Sequence, residues 1–285
     1  MTLQILKTVA EVQAYSAKQW STGKRLALVP TMGFLHDGHL SLIREGGRRA
    51  DVVATTIFVN PTQFGPTEDL SRYPRDLKGD LDKCAAAGAA IVFTPEPKEV
   101  YPAAYQSYVE VTKVSQGLCG EKRPGHFKGV ATVVTKLLAM FRPHVALFGE
   151  KDYQQLQVIR ALNADLNLGV EIVGMPTVRE VDGLALSSRN TYLSADERRQ
   201  ALAISRGLKA AQQLAKAGER DAGVLVERIR DFLREQKLRE DYVGLVDAQT
   251  LEPLQQLVPG VPARALIAAF VGNTRLIDNL SVVCG

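Results

Sequence analysis

Cysteine is scarce in this chain and scattered where it occurs, at Cys84, Cys119 and Cys284. An odd number at such spacings builds neither a disulfide framework nor a zinc site; reduced thiols in a cytoplasmic setting are the expectation. Histidine is nearly as sparse, with four residues, and no His/Cys spacing matches metal ligation, although a carboxylate-held Mg2+ would leave little trace. No run of about 18 apolar residues occurs, which argues against a membrane span. The first residues mix charges without an apolar h-region, so no signal peptide is expected. There is no Gly-x-Gly-x-x-Gly at a strand end, no Walker A sequence and no Gly-x-Ser-x-Gly nucleophile elbow. Internal repeats and low-complexity segments are lacking. Charge is not skewed either: the net value is +4 over 285 residues with the basic residues dispersed. That gives no reason to infer a nucleic-acid partner and is compatible with an anionic small ligand.

What is present is an ordinary globular composition, 46% hydrophobic and 23% charged, in a chain long enough for two domains. One stretch organises the rest, Pro30-Thr31-Met32-Gly33-Phe34-Leu35-His36-Asp37-Gly38-His39-Leu40. An apolar run at 26–29 leads into it and a helix-period segment at 40–49 follows, so it reads as strand, tight turn, helix. Both histidines then fall at a helix N-terminus, where backbone N–H groups and the dipole favour an anion. Three residues apart, His36 and His39 share one helical face. Gly38 between them lets a ligand approach the backbone. Such a pair can donate hydrogen bonds to phosphate oxygens; the plainer alternative is two histidines that happen to open a helix.

Elsewhere, helical periodicity marks 8–19. Residues 51–60 are β-branched and nearly all apolar, as in a strand buried on both faces. A turn-rich loop follows at 60–66. A helix at 76–88 closes on glycine, and 90–95 reads as a short buried strand. Residues 101–123 are harder to read, with a strand near 107–111 and a turn at 117–124. A strongly apolar helix spans 127–141, a strand 144–148, a helix 153–167 and a strand 170–173. This alternation argues for a parallel α/β sheet with right-handed crossovers. Ligands in such sheets sit beyond the carboxyl ends of the strands, where the loops after 29, 59 and 148 would lie. Residues 175–190 have no period and read as a linker or functional loop. Ser194-Ala195-Asp196-Glu197 is a capping box opening a helix to about 216. A helix at 222–236 and strands at 242–248, 265–272 and 275–278 complete a smaller α+β tail with an antiparallel sheet. The division falls between 176 and 177.

Three further clusters carry chemistry. In Gly149-Glu150-Lys151-Asp152, the glycine permits close approach of a planar or sugar group and Lys151 can set a cation over phosphates. Asp152 can bind a ribose hydroxyl or simply cap the helix, and Gln155 lies one turn on. Ser187, Ser188 and Arg189 offer two hydroxyls and a guanidinium fork, suited to a triphosphate, or form a surface loop before the next helix. The amides of Asn60 and Gln63 either hold a substrate or satisfy the loop backbone.

Four segments together resemble the pantothenate synthetase (pantoate–β-alanine ligase) family: 30–39, Phe58-Val59-Asn60-Pro61-Thr62-Gln63-Phe64, Phe148-Gly149-Glu150-Lys151-Asp152-Tyr153-Gln154-Gln155, and Leu186-Ser187-Ser188-Arg189-Asn190. The resemblance runs along essentially the whole chain, in order. Its His-x-Gly-His element is similar to that of class I aminoacyl-tRNA synthetases and related nucleotidyltransferases. It implies a Rossmann-like domain at 1–176 binding ATP and pantoate, with helices on both faces of the sheet, and a C-terminal lid domain at 177–285. It implies ATP-dependent, Mg2+-requiring condensation of pantoate with β-alanine to pantothenate, AMP and pyrophosphate, in a cytoplasmic homodimer. It places His36 and His39 on the ATP phosphates, His39 also as acid. It assigns Met32 to the pantoate and ATP pocket and Gly33 and Glu150 to ATP. Gln63 and Gln155 hold pantoate, Gln63 lying also near β-alanine. Gly149 and Asp152 hold adenosine and Val178 adenine, while Lys151, Leu186, Ser187, Ser188 and Arg189 surround the phosphates. Asn60 and Tyr73 are weaker substrate contacts, and no metal ligands are implied by position.

Overall fold

The computed structural model describes residues 3–66 and 68–284. In chain order the elements are β1 (Gln4–Leu6), α1 (Val9–Ser21), β2 (Leu26–Thr31), α2 (Asp37–Arg49), β3 (Val52–Ile57), α3 (Leu77–Ala87), β4 (Ile91–Phe93), α4 (Pro97–Val100) and α5 (Leu118–Lys122). There follow α6 (His126–Phe141), β5 (Val145–Gly149), α7 (Tyr153–Asp165), β6 (Glu171–Met175), α8 (Ala195–Lys216), α9 (Ala222–Glu235), β7 (Arg239–Asp247), β8 (Ala263–Val271) and β9 (Thr274–Val282). Two compact units result. One holds the residues up to 115, 123–150 and 158–176; the other holds 116–122, 151–157 and 177 onward.

The first unit is built on a six-stranded sheet in the order β1-β4-β3-β2-β5-β6, parallel at every pairing. Leu26, Ala27, Leu28 and Val29 of β2 are all fully buried. Successive strand side chains point to opposite faces, so both faces of the sheet are covered, as an unbroken apolar run requires. On one face Ala27 and Val29 pack with Leu42 and Ile43 of α2 and Cys84 of α3. Local signals set the ends of the helices. Thr8 Oγ1 accepts from Glu11 N–H while Glu11 Oε2 accepts from Thr8 N–H, a capping box that starts α1. Gly88, at φ +96°, ends α3. From β2 the chain builds outward through β3 and β4, then returns to place β5 and β6 on the other side of β2. That reversal makes a switch point between β2 and β5, and the loops after β2, β3 and β5 leave from the same edge of the sheet.

The second unit packs α8 and α9 on the antiparallel sheet β7-β8-β9. Ile204 and Leu208 of α8, Leu225 and Ile229 of α9, and Ala265, Ile267 and Ala269 of β8 form its core. A Cβ on Gly207 would come within 3.2 Å of Ile229 O, so this glycine lets the two helices approach closely. The Ser194/Glu197 capping box starts α8 as expected.

Three expectations need correction. Residues 107–111 form no strand: Val109 N–H donates to Thr132 Oγ1 of α6 at 3.0 Å instead of to a neighbouring strand. The expected turn at 117–124 contains α5. β9 extends to Val282, past the expected 278, because Asp278 and Asn279 are polar yet buried and side-chain paired, which hides the alternation. The edge strand β1 passed unnoticed, being only three residues long.

Candidate active site

The turn that follows β2 is held tightly. Thr31 Oγ1 donates to Thr56 O at 2.5 Å and accepts from Gly33 N–H at 3.2 Å. Gly33 at φ +88° and Phe34 at φ +52° are consecutive left-handed residues, a conformation disfavoured for a bulky side chain. Their neighbour in space is Asp80 of α3, whose carboxylate accepts from Phe34 N–H and Leu35 N–H, each at 2.7 Å. Lys83, one turn along the same helix, donates to Leu35 O at 2.8 Å.

His36 then takes the N-cap position of α2 and His39 sits in its first turn, where the sequence put them. The two imidazoles lie against each other with centroids 4.1 Å apart, tilted by 31°. His39 Nδ1 accepts from His36 N–H at 3.4 Å, which puts the neutral ring's proton on Nε2 and leaves that edge as a donor. A Cβ on Gly38 would meet the His36 ring at 2.9 Å. The glycine therefore makes room for an imidazole as well as for anything approaching the backbone.

After β3, Asn60 is 1% exposed. Its Oδ1 accepts from Thr62 Oγ1 (3.0 Å) and Tyr101 OH (2.9 Å); its Nδ2 donates to Gly129 O (3.2 Å) and Gln63 Oε1 (3.1 Å). Its amide thus organises the loop and ties it to α6. Gln63 Nε2 reaches Met32 Sδ at 3.1 Å, joining the loops of two adjacent strands. Tyr73 is buried edge-on against Phe64, centroids 6.0 Å apart. The backbone of Gln63 is held in turn: His126 Nδ1 lies 2.9 Å from its carbonyl and Arg123 Nη2 donates to it at 3.4 Å. Arg123 also grips Glu68 through two bonds, of 2.7 and 2.5 Å. Burial opposes ionisation of Glu68, and the adjacent guanidinium overrides it, holding the carboxyl below its ordinary value. Beyond β5, a Cβ on Gly149 meets no described atom within 4 Å, so space is open beside it.

The second unit holds Lys151, Asp152, Gln155, Val178 and the 186–189 segment. Desolvation pulls the Lys151 ammonium below its ordinary pKa; the Arg189 cation adds to this, and Asp152 and Asp278 oppose it. Lys151, Ser187, Asn190 and Asp278 line one small cavity. Ser187 Oγ accepts from Arg189 N–H at 3.3 Å, starting a short 3-10 turn over Ser188–Tyr192. Leu186 N–H donates to Val178 O at 3.0 Å, beside a bridge between Arg179 and Ala185. This ladder is anchored by Arg179, which forms a double ion pair with Asp278 at 2.6 and 2.9 Å. Asn279 Nδ2 donates to Lys151 O at 2.8 Å. Asp152 is exposed and Gln155 half-buried. Gln154 is buried and structural, accepting from Cys119 N–H and donating to Gln116 O.

Within the first unit, then, Met32 and Gln63 touch and the two histidine rings lie against each other. Within the second, Lys151 and Arg189 influence each other beside Ser187. Sequence reasoning missed Asp80, Arg123, His126 and Asp278. Each acts across a large sequence separation; Asp80 and Asp278 alone left a signal, a charge within a helix or strand, while Arg123 lies between α5 and α6 and His126 only opens α6.

The model of the pantoate-beta-alanine ligase family matches residues 4–281. The pantothenate synthetase of Myxococcus xanthus (strain DK1622) is 68% identical over 283 residues, spanning 99% of this chain and 97% of its own. That of Anaeromyxobacter dehalogenans (strain 2CP-C) is 56% identical over 285 residues, 98% of each. A crystal structure of pantothenate synthetase from Thermus thermophilus is similar at TM-score 0.92 and 43% identity, covering 98% of this chain and 99% of that one. The pantoate-beta-alanine ligase of Francisella tularensis, complexed with beta-gamma ATP and beta-alanine, is similar at TM-score 0.81 and 32% identity, covering 98% and 97%. With its α/β sheet domain, its antiparallel tail and a family match along nearly its full length, the chain belongs to the pantoate-beta-alanine ligase family.

Proposed function

We propose that this protein condenses pantoate with β-alanine using ATP, releasing pantothenate, AMP and pyrophosphate through a pantoyl-adenylate. The observation that carries this is the family match over residues 4–281. The Francisella relative's complex with a nucleotide and β-alanine supports it.

In the first step a carboxylate oxygen of pantoate attacks the α-phosphorus of ATP and pyrophosphate leaves. No enzyme nucleophile is needed, so the work is positioning and charge stabilisation. Gln63, steadied by Asn60 and Met32, holds pantoate, with Gln155 and Tyr73 completing the substrate contacts; Asn60, its amide taken up by Thr62, Tyr101, Gly129 and Gln63, supports the site through Gln63. The α2 N-terminus with His36 and His39 receives phosphate oxygens, and His39 Nε2–H donates to charge developing there. Lys151, Ser187, Ser188 and Arg189 take the departing pyrophosphate. Gly33, Gly149, Glu150, Asp152, Val178 and Leu186 surround the rest of the nucleotide. In the second step the uncharged amine of β-alanine attacks the activated carbonyl, and AMP leaves with one former carboxylate oxygen.

Mg2+ enters this reading with the nucleotide. Among the described residues no group of three or more His, Cys, Asp or Glu is placed to hold a metal ion. The domain boundary at 176/177, a lid role for the C-terminal domain that excludes water from the adenylate, a homodimer and a cytoplasmic location belong to the same reading. No helix among the described residues is long and apolar enough to cross a membrane.

Pantoate labelled with ¹⁸O in its carboxylate tests the chemistry. Transfer of one label to AMP, read by mass spectrometry, is the expected result; unlabelled AMP would rule out an acyl-adenylate.

A further inference from the structure

Asp80 is an acidic residue in the first turn of α3, 1% exposed. A buried carboxylate is costly unless both its oxygens are satisfied. Both are, and by one short stretch of backbone: Oδ2 accepts from Phe34 N–H and Oδ1 from Leu35 N–H, each at 2.7 Å. These distances are those of charge-assisted bonds. Burial, with a smaller contribution from the Asp80 carboxylate, pushes the nearby Cys84 thiol up to about 12. Lys83 holds the carbonyl of Leu35 from the same helix at 2.8 Å. The backbone so gripped contains the consecutive left-handed residues Gly33 and Phe34, which persist only where their surroundings over-determine them. The next amide along, His36 N–H, points to His39 Nδ1 at 3.4 Å. A continuous chain of contacts therefore runs from the α3 carboxylate through the turn to the imidazole that opens α2.

We infer that Asp80 is a positioning residue for adenylate formation: its two hydrogen bonds lock the Gly33–Leu35 turn so that His36 N–H holds His39 through Nδ1 and fixes its proton on Nε2. An apolar residue there would leave the Phe34 and Leu35 N–H groups, the latter buried, without this acceptor and the turn free to relax. This rests on the role proposed above for His39.

The test is a double-mutant cycle in the full chain with Asp80→Asn, which keeps size but loses one acceptor, in wild-type and His39→Ala backgrounds. The expected result is a roughly 10–100-fold fall in pantoate-dependent pyrophosphate exchange for Asp80→Asn. KM for ATP and pantoate should stay within a few-fold, and in the His39→Ala background Asp80→Asn should cause almost no further loss. Imidazole ¹⁵N spectra should lose the Nδ1-acceptor pattern of His39. Lys83→Met, at a half-buried position, should shift the same signals in the same direction by a smaller amount. It is the variant to use should Asp80→Asn fail to fold. An equal fold-loss in both backgrounds, or unchanged His39 signals in Asp80→Asn or Lys83→Met, would overturn the inference. Absence of exchange in the wild-type protein would instead contradict the functional reading, while the ¹⁵N arm would still report on Asp80.

Discussion

Gln63 and Met32 meet through an amide-to-thioether contact of 3.1 Å, which binds the loop after β3 to the loop after β2 at the carboxyl edge of the parallel sheet. Gln63 also accepts from Asn60 and has its carbonyl held by Arg123 and His126. Its side chain is set in place before any ligand arrives, which lowers the ordering cost of binding.

Replacing Gln63 with Ala should raise KM for pantoate about 10–100-fold, the loss expected for one or two polar contacts. Thermal stability should fall only modestly. Initial-rate kinetics with varied pantoate check this, and an unchanged KM would remove Gln63 from the pantoate site.

His39→Ala should fold normally and lose ~10²–10³ in adenylate formation, the usual effect of removing one donor to developing charge. Arg189→Lys should also be impaired, since an ammonium lacks the bidentate fork. Single-turnover rates equal to wild type would deny each residue its place.

With Lys151 at the triphosphate as proposed, its depressed pKa predicts a pH-dependent affinity for ATP. Burial and Arg189 lower the free-state value from 10.5, whereas a bound triphosphate raises it, so protonation and binding favour each other. Affinity is full below the free-state pKa and falls as pH rises through it, earlier on the alkaline side than an ordinary lysine allows. Lys151→Arg, always charged, should flatten that limb in calorimetric titrations. The same decline in the variant would assign the proton elsewhere.

Gly129 is a packing requirement. A Cβ there would lie 2.3 Å from Thr62 O and 2.7 Å from Gln63 N, inside backbone that cannot move without displacing the loop after β3. Gly129→Ala should cost ~1–3 kcal/mol and weaken pantoate binding together with stability. A denaturation midpoint equal to wild type would contradict the crossing of α6 over this loop.

The α/β alternation and the antiparallel tail were legible in the sequence because they rest on local periodicity. So was the helix start at His36 and His39, marked by a strand, a glycine turn and then a helical period. Features built from long-range pairing were not. Asp278 reads as a break in β9 until its partner Arg179, 99 residues away, is seen beside it. Asp80 looks like a solvated helix residue until the turn at 34–35, more than 40 residues earlier, is found against it. Residues 107–111 look like a strand because their spacing fits one, yet the hydrogen bond of Val109 goes to a threonine on α6. Spacing reports which faces are apolar; it does not report which polar groups will meet.

Exchange of labelled pyrophosphate into ATP tests the adenylation chemistry most directly. It should proceed with pantoate and ATP in the absence of β-alanine, and stop when pantoate is withheld. Exchange that requires β-alanine, or that runs without pantoate, would contradict activation of pantoate as the first step.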